Sequence, residues 1–254
     1  MKSTLILPSL VLTALPALAG PPPPAPLPPV PEESGWQFSV GSYLWAQGLE
    51  GTTGVHGLTA DLDVPFSDIF DVLDFGFMGV FEARKGRWSL LTDINYAELS
   101  PSAPTRGVLF SSVDLKMKQF LGNVTLNYQI VSSEQTSIML YGGARINGLD
   151  MAISLDGVRV DDVKRSGDDY WVDGIVGVRL QQNLGGPWFL RLTGDVGAGD
   201  SDSTWQAVGL IGYRVKENIN VGLGYRWLDT DYQNGGFTYD ITASGLILGA
   251  ELHW

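Results

Sequence analysis

Few side chains in this sequence could carry chemistry. There are two histidines and no cysteine among 254 residues, so neither a thiolate nucleophile nor a disulfide is available. His56 stands near Asp61 and Asp63, and a histidine beside carboxylates has the ingredients of a general base. No serine stands in a nucleophile motif with it, and the other histidine, His253, is the penultimate residue of the sequence. No catalytic residue and no cofactor is therefore assigned. Carboxylates also recur in pairs: Asp61 and Asp63, Asp161-Asp162, Asp168-Asp169, Asp200 and Asp202, Asp229 and Asp231. Hard cations take clustered carboxylate oxygens, but none of these pairs has the spacing of a calcium loop. They read as solvated charge on connecting segments, and no metal site is assigned.

What remains is a set of arginines and carboxylates embedded in apolar, alternating sequence. From Trp36 onward ten segments alternate apolar and polar residues, the signature of strands with one face in each of two environments. They are Trp36–Gln47, Phe75–Arg84, Trp88–Leu99, Leu115–Val131, Ser137–Met151, Tyr170–Asn183, Trp188–Ala198, Thr204–Val215, Ile219–Asp229 and Thr238–Trp254. In the ninth, Ile219, Val221, Leu223, Tyr225 and Trp227 share one face, opposite Asn220, Gly222, Gly224 and Arg226. The same parity puts Glu82, Arg84, Asp93, Arg145, Asp173, Arg179, Arg191, Asp195, Arg214, Arg226 and Glu251 on the polar face. Six of the ten arginines in the sequence fall in that set. The fork of arginine suits bidentate pairing with carboxylates away from bulk water, which predicts an ion-pair network on the enclosed side.

The connections fall into two classes. Tight turns at Lys85-Gly86, Ser132–Gln135, Gly185–Pro187 and Lys216–Asn218 alternate with mostly longer, acid-rich connections. Outer-membrane barrels have short periplasmic turns, longer outer loops and an even strand number. The fold class expected is thus all-β, a transmembrane antiparallel up-and-down β-barrel of about ten strands, with twelve or eight as alternatives. Gly57–Val64 also alternates; spanning alone it would move the Lys85-Gly86 turn to the wrong side, so it is placed within the first outer loop. Trp36, Trp88, Trp188, Trp205, Tyr213, Tyr225 and Trp227 fall near segment ends, where amphipathic rings suit the headgroup zone. In the tenth segment Tyr239, Ile241 and Ala243 have the opposite parity to Leu246, Leu248, Leu252 and Trp254. A bulge near Ser244-Gly245, or emergence of the strand above the membrane, would account for that.

Ahead of the barrel, residues 1–19 combine Lys2, an apolar run from Leu5 to Leu18 and Ala17-Leu18-Ala19, the pattern of a cleaved secretory signal. Residues 20–35 form a proline-rich lead into the 36–254 barrel, read as a periplasmic linker. Without Lys2 there are 15 basic against 28 acidic residues, a balance that argues against nucleic-acid partners.

Phe75–Trp88, Thr204–Ala207 and Gly224–Tyr232 resemble segments of a group of Gram-negative outer-membrane β-barrel proteins, loosely opacity-protein-like. The resemblance covers most of Trp36–Trp254 and implies a barrel in the outer membrane; it carries no activity with it. The terminal pattern Leu246, Leu248, Leu252, Trp254 resembles the signal read by the barrel-assembly machinery. Phe66, Ile69, Phe70 and Leu73 have helical spacing, so a short helix near 66–73 is expected in the first outer loop, as a hydrophobic anchor or a lid. The function expected is that of a monomeric structural or surface-interaction barrel with a largely occluded polar lumen, in contact with membrane lipid and lipopolysaccharide. A narrow passive pore is the alternative, and a lipid-modifying enzyme a third and weaker one.

Overall fold

The computed structural model describes residues 35–55, 58–100, 102–104, 110–157 and 163–254. The expected signal segment and linker, except Gly35, together with His56 and Asp161-Asp162, lie outside them. The alternating segments form strands β1 (Trp36–Val55), β2 (Leu58–Val64), β3 (Leu73–Lys85), β4 (Trp88–Leu99), β5 (Ser102–Pro104), β6 (Phe110–Ser132), β7 (Thr136–Gly157), β8 (Val163–Gly185), β9 (Trp188–Gly199), β10 (Ser203–Lys216), β11 (Ile219–Asn234) and β12 (Phe237–His253). One helix, α1 (Phe66–Asp71), links β2 to β3.

Ten of these strands make a closed antiparallel ring in the order β1-β3-β4-β6-β7-β8-β9-β10-β11-β12, with β12 pairing back onto β1. β2 extends the edge of β1 from Leu49–Val64 to Val55–Leu58, and β5 pairs only with β6. The ten strands expected are the ten in the ring, and within the segment placed in the first outer loop Leu58–Val64 forms the accessory β2 rather than another spanning strand.

Closure leaves two ends. At one, turns are tight, as at Gly86 with φ 57°. At the other, the long loops expected are largely replaced by strand: β6, β7 and β8 run for 23, 22 and 23 residues. β11 and β12 meet in a two-residue turn at Gly235-Gly236, whose φ values of 55° and 104° suit a hairpin turn that demands positive φ at both positions. Asp168-Asp169 and Asp229 with Asp231 consequently lie in β8 and β11. This is the extended end.

Burial is inverted relative to a water-soluble protein. Apolar side chains point out, with Val176 63% exposed and Leu248 60%, while Arg145 and Asp173 inside are at 0%. Such a continuous apolar surface has no place in water and suits hydrocarbon. Toward the extended end the interior loses its charges: Trp45, Leu49, Leu99, Leu121, Leu228, Ile241, Ala243 and Ile247 pack there with Ile69 of α1, and the buried amides of Gln47, Asn95 and Asn147 lie among them. Beside them Trp171 stacks on Tyr232, with ring centroids 4.3 Å apart.

That uncharged interior corrects one expectation. β12 has no bulge at Ser244-Gly245, since its pairing with β1 and β11 runs without a register shift. Tyr239, Ile241 and Ala243 face inward, into the cluster. The outward positions beside them are polar: Thr242 donates to Asp229 at 2.5 Å, and the Ser244 and Tyr225 hydroxyls lie 3.2 Å apart. The second explanation fits, a strand that keeps its register while its outer face leaves the apolar band.

Candidate functional site: the charged lumen

Strand parity delivers eleven charged side chains to the interior, and nine of them join ion pairs. Arg145 on β7 meets Asp195 on β9 at 2.7 Å, and Arg226 on β11 meets Asp93 on β4 at 3.3 Å. Glu82 on β3 takes Arg84 at 3.0 Å and Arg179 of β8 at 3.6 Å, while Arg191 reaches Glu251 at 3.2 Å. The other two stand apart from the network expected. Among the described residues neither Asp173 nor Arg214 has an ion-pair partner. Asp173 accepts the Ser201 amide at 2.9 Å near the rim, and its other oxygen is buried without a partner. Arg214, near the tight turns, donates to Asn183 at 2.5 Å, with its guanidinium 5.4 Å from the centre of the Phe189 ring. Parity fixes which side a charge faces; its height along the axis decides whether a partner is within reach.

The pairs are joined by neutral groups that counting charges alone overlooked. Asn123 accepts from Arg145 at 2.9 Å through Oδ1 and donates to Asp93 at 3.4 Å through Nδ2. A polar chain Asp195, Arg145, Asn123, Asp93, Arg226 therefore crosses the barrel from β9 to β11. Tyr43 donates to Asp93 at 2.6 Å, Tyr141 and Gln206 donate to Asp195 at 2.9 and 3.1 Å, and Thr204 accepts from Arg145 at 2.8 Å. All five of these neutral residues share the inward parity, so the signal was in the sequence. Buried ions need such partners, because desolvation otherwise exceeds the Coulombic gain; the shell is full at Arg145 and incomplete at Arg226, whose Nε and Nη2 are buried without a hydrogen-bond partner.

Glycines open the room for this packing. A Cβ on Gly212 would lie 2.1 Å from the Phe189 ring, so that ring lies flat on β10 only because the position is glycine. On the tight-turn side of the polar chain lies a cavity of about 200 Å³, bordered by Ser39, Tyr43, Glu82, Arg179, Arg191 and Glu251. On the other side the Arg226 guanidinium lies 4.6 Å from the Trp45 ring centre, where the apolar cluster begins.

The other expected residues take different places. Leu246, Leu248, Leu252 and Trp254 lie on the outer face at 40–61% exposure. Trp254 is tied to Phe38 by backbone hydrogen bonds of 2.9 and 3.0 Å at the closure of the ring. The helix covers Phe66–Asp71, shorter than expected, and Leu73 already belongs to β3. Ile69 is buried in the interior cluster, Leu73 packs against it, and Phe66 contacts Phe70, which is 56% exposed. His253 sits at the tight-turn end against the Glu217 carbonyl at 2.6 Å. Of the acid pairs, Asp61 accepts from Thr52, Asp200 from the Val172 amide and Asp169 from Tyr232.

No protein-family model and no curated protein sequence matches the chain. Solved structures do. The outer-membrane protease OmpT from Escherichia coli aligns with TM-score 0.52 at 10% identity, covering 89% of this chain and 98% of that one. The translocator domain of the autotransporter NalP from Neisseria meningitidis aligns at TM-score 0.46 and 12% identity, over 86% and 88%. The attachment invasion locus protein Ail of Yersinia pestis aligns at 0.38 and 10%, over 87% and 99%. The likeness to the first of these, at 10% identity, establishes the fold, that of a bacterial outer-membrane β-barrel, and leaves activity to be argued from this chain.

Proposed function

We propose that the chain is a monomeric integral protein of the bacterial outer membrane, exported by its signal segment, whose closed lumen serves a structural or surface-interaction role. The tight turns then face the periplasm and the extended end the exterior, where lipopolysaccharide surrounds the wall. The terminal strand ending on Trp254 is its mark for the barrel-assembly machinery. One observation carries the closed-lumen reading: beyond the polar chain an uncharged layer of Trp45, Leu121, Leu228 and Ile241 with Gln47, Asn95 and Asn147 fills the interior and leaves a void of only about 10 Å³. An ion would have to shed its water against those side chains. Barrels near this size have interiors that side chains fill, unlike sixteen-stranded porins.

A narrow pore is the second reading, favoured by the charged cavity of about 200 Å³. Planar-bilayer recording on the purified protein separates the two. The closed reading predicts no stable open level in molar salt, and a steady, reproducible conductance step would replace it with the pore.

A further inference from the structure

The wall has one discontinuity. The β1–β3 ladder ends at Ser42–Gly79, and the β1–β2 ladder starts only at Leu49–Val64. Along the opposite edge β1 pairs with β12 throughout that stretch. Among the described residues, Tyr43 to Gly48 therefore have no strand on the β3 side, and β3 from Leu73 to Met78 has only β4. Side chains stand in for the missing ladder. The Trp45 amide donates to the Met78 sulfur at 3.1 Å, and the Ser42 hydroxyl donates to the Met78 carbonyl at 3.0 Å.

This seam opens within the apolar band. Leu44 beside it is 46% exposed, and Phe75 and Phe77 across it are 54% and 52% exposed. Unpaired backbone facing hydrocarbon is costly and persists only where protein covers it. The cover is α1. A Cβ on Gly48 would lie 3.6 Å from the Phe66 amide nitrogen and from Pro65 Cα, and the Ser100 amide of the β4 end binds the Val72 carbonyl at 2.9 Å. The helix thus spans from beside Gly48 of β1 to the start of β3, with Phe70 exposed outside and Ile69 buried in the cluster with Trp45 and Leu49. It is attached by packing rather than by a ladder, which makes it the wall element that opens at least cost.

We propose that the seam between β1 and β3 is a lateral binding port for the acyl chain of a membrane lipid, plugged by Ile69 of α1 and by Met78. Withdrawal of Ile69 leaves an apolar slot bordered by Trp45, Leu49 and Leu99. Outside it lies the apolar band, and no charged side chain takes part in the seam contacts described above. An apolar chain entering sideways fits this lining. The inference rests on the membrane reading.

The test uses the full chain in vesicles containing a phospholipid with a diazirine at the end of one acyl chain, with adducts mapped by mass spectrometry after irradiation. Adducts on Leu44, Leu246 and Leu248 report the lipid-facing wall, and their absence would overturn the membrane reading and this inference with it. The port predicts further adducts on the inward Trp45 and Leu49, rising several-fold in Ile69→Gly. A Gly48→Cys, Pro65→Cys disulfide, within geometric reach, should suppress them and reduction restore them. Wall adducts without any on Trp45 or Leu49, in the wild type and in Ile69→Gly, would overturn the port. Inward adducts unaffected by the disulfide would overturn the role of α1 as its plug.

Discussion

Arg145 shows what an interior charge requires in this barrel. Its guanidinium is fully buried and its three donor groups go to Asn123, Thr204 and Asp195. Replacing it by methionine keeps the bulk and leaves Asp195 as an uncompensated buried charge, a loss on the order of 3–5 kcal/mol. Urea unfolding in lipid vesicles should register it, and Arg145→Met, Asp195→Leu should be less damaged than Arg145→Met alone. A loss below about 1 kcal/mol for the single change would place this pair with weak surface bridges. At the same scale Gly212→Val should displace the Phe189 ring, read as loss of its ring-current shifts on the side-chain protons of Arg191 and Arg214, whose guanidinium carbons lie 5.6 and 5.4 Å from the ring centre. The charged residues were legible from parity because arginine and aspartate in an apolar strand stand out. Asn123 and Tyr43 were not picked out, since a polar neutral residue on an inward face can serve equally as filler.

Strands carry the second level of the account. β4 was read to the residue, Trp88–Leu99, because its outward Trp88, Leu90, Ile94 and Tyr96 alternate with inward Ser89, Asp93 and Asn95 and tight turn chemistry at Lys85-Gly86 marks its start. β6, β7 and β8 were read short. Beyond the apolar band the outer face meets water, the contrast between faces fades, and the ladder continues without a pattern to mark it. In β12 the contrast inverts, with Ile241 and Ala243 inside, and inversion imitates a bulge. The seam was not legible at all, because it depends on where β2 leaves the edge of β1 and where β3 rejoins that edge. Depth should be measurable on these strands. Leu223→Arg, mid-strand on the outer face, should cost about 2–4 kcal/mol, and Leu252→Arg near the tight-turn end about 0–1 kcal/mol. Equal costs at the two positions would mean that the band is not a membrane-thick slab.

As a whole, the molecule has apolar side chains outside a closed ring of ten strands and paired charges within it. Ring closure was legible from the two classes of turn and the even strand count, which together require neighbours all the way round. The division of the interior into a charged half and an uncharged half was not, because the uncharged half draws on segments whose outer faces are polar. Both halves depend on one geometric fact, that alternate residues of each strand see lipid and lumen. A nitroxide scan along Leu246–Leu252 of β12 in vesicles, reading accessibility to dissolved oxygen, tests this most directly. The account predicts high values at 246, 248, 250 and 252 and low values at 247, 249 and 251. A flat profile, or maxima at the odd positions, would contradict it.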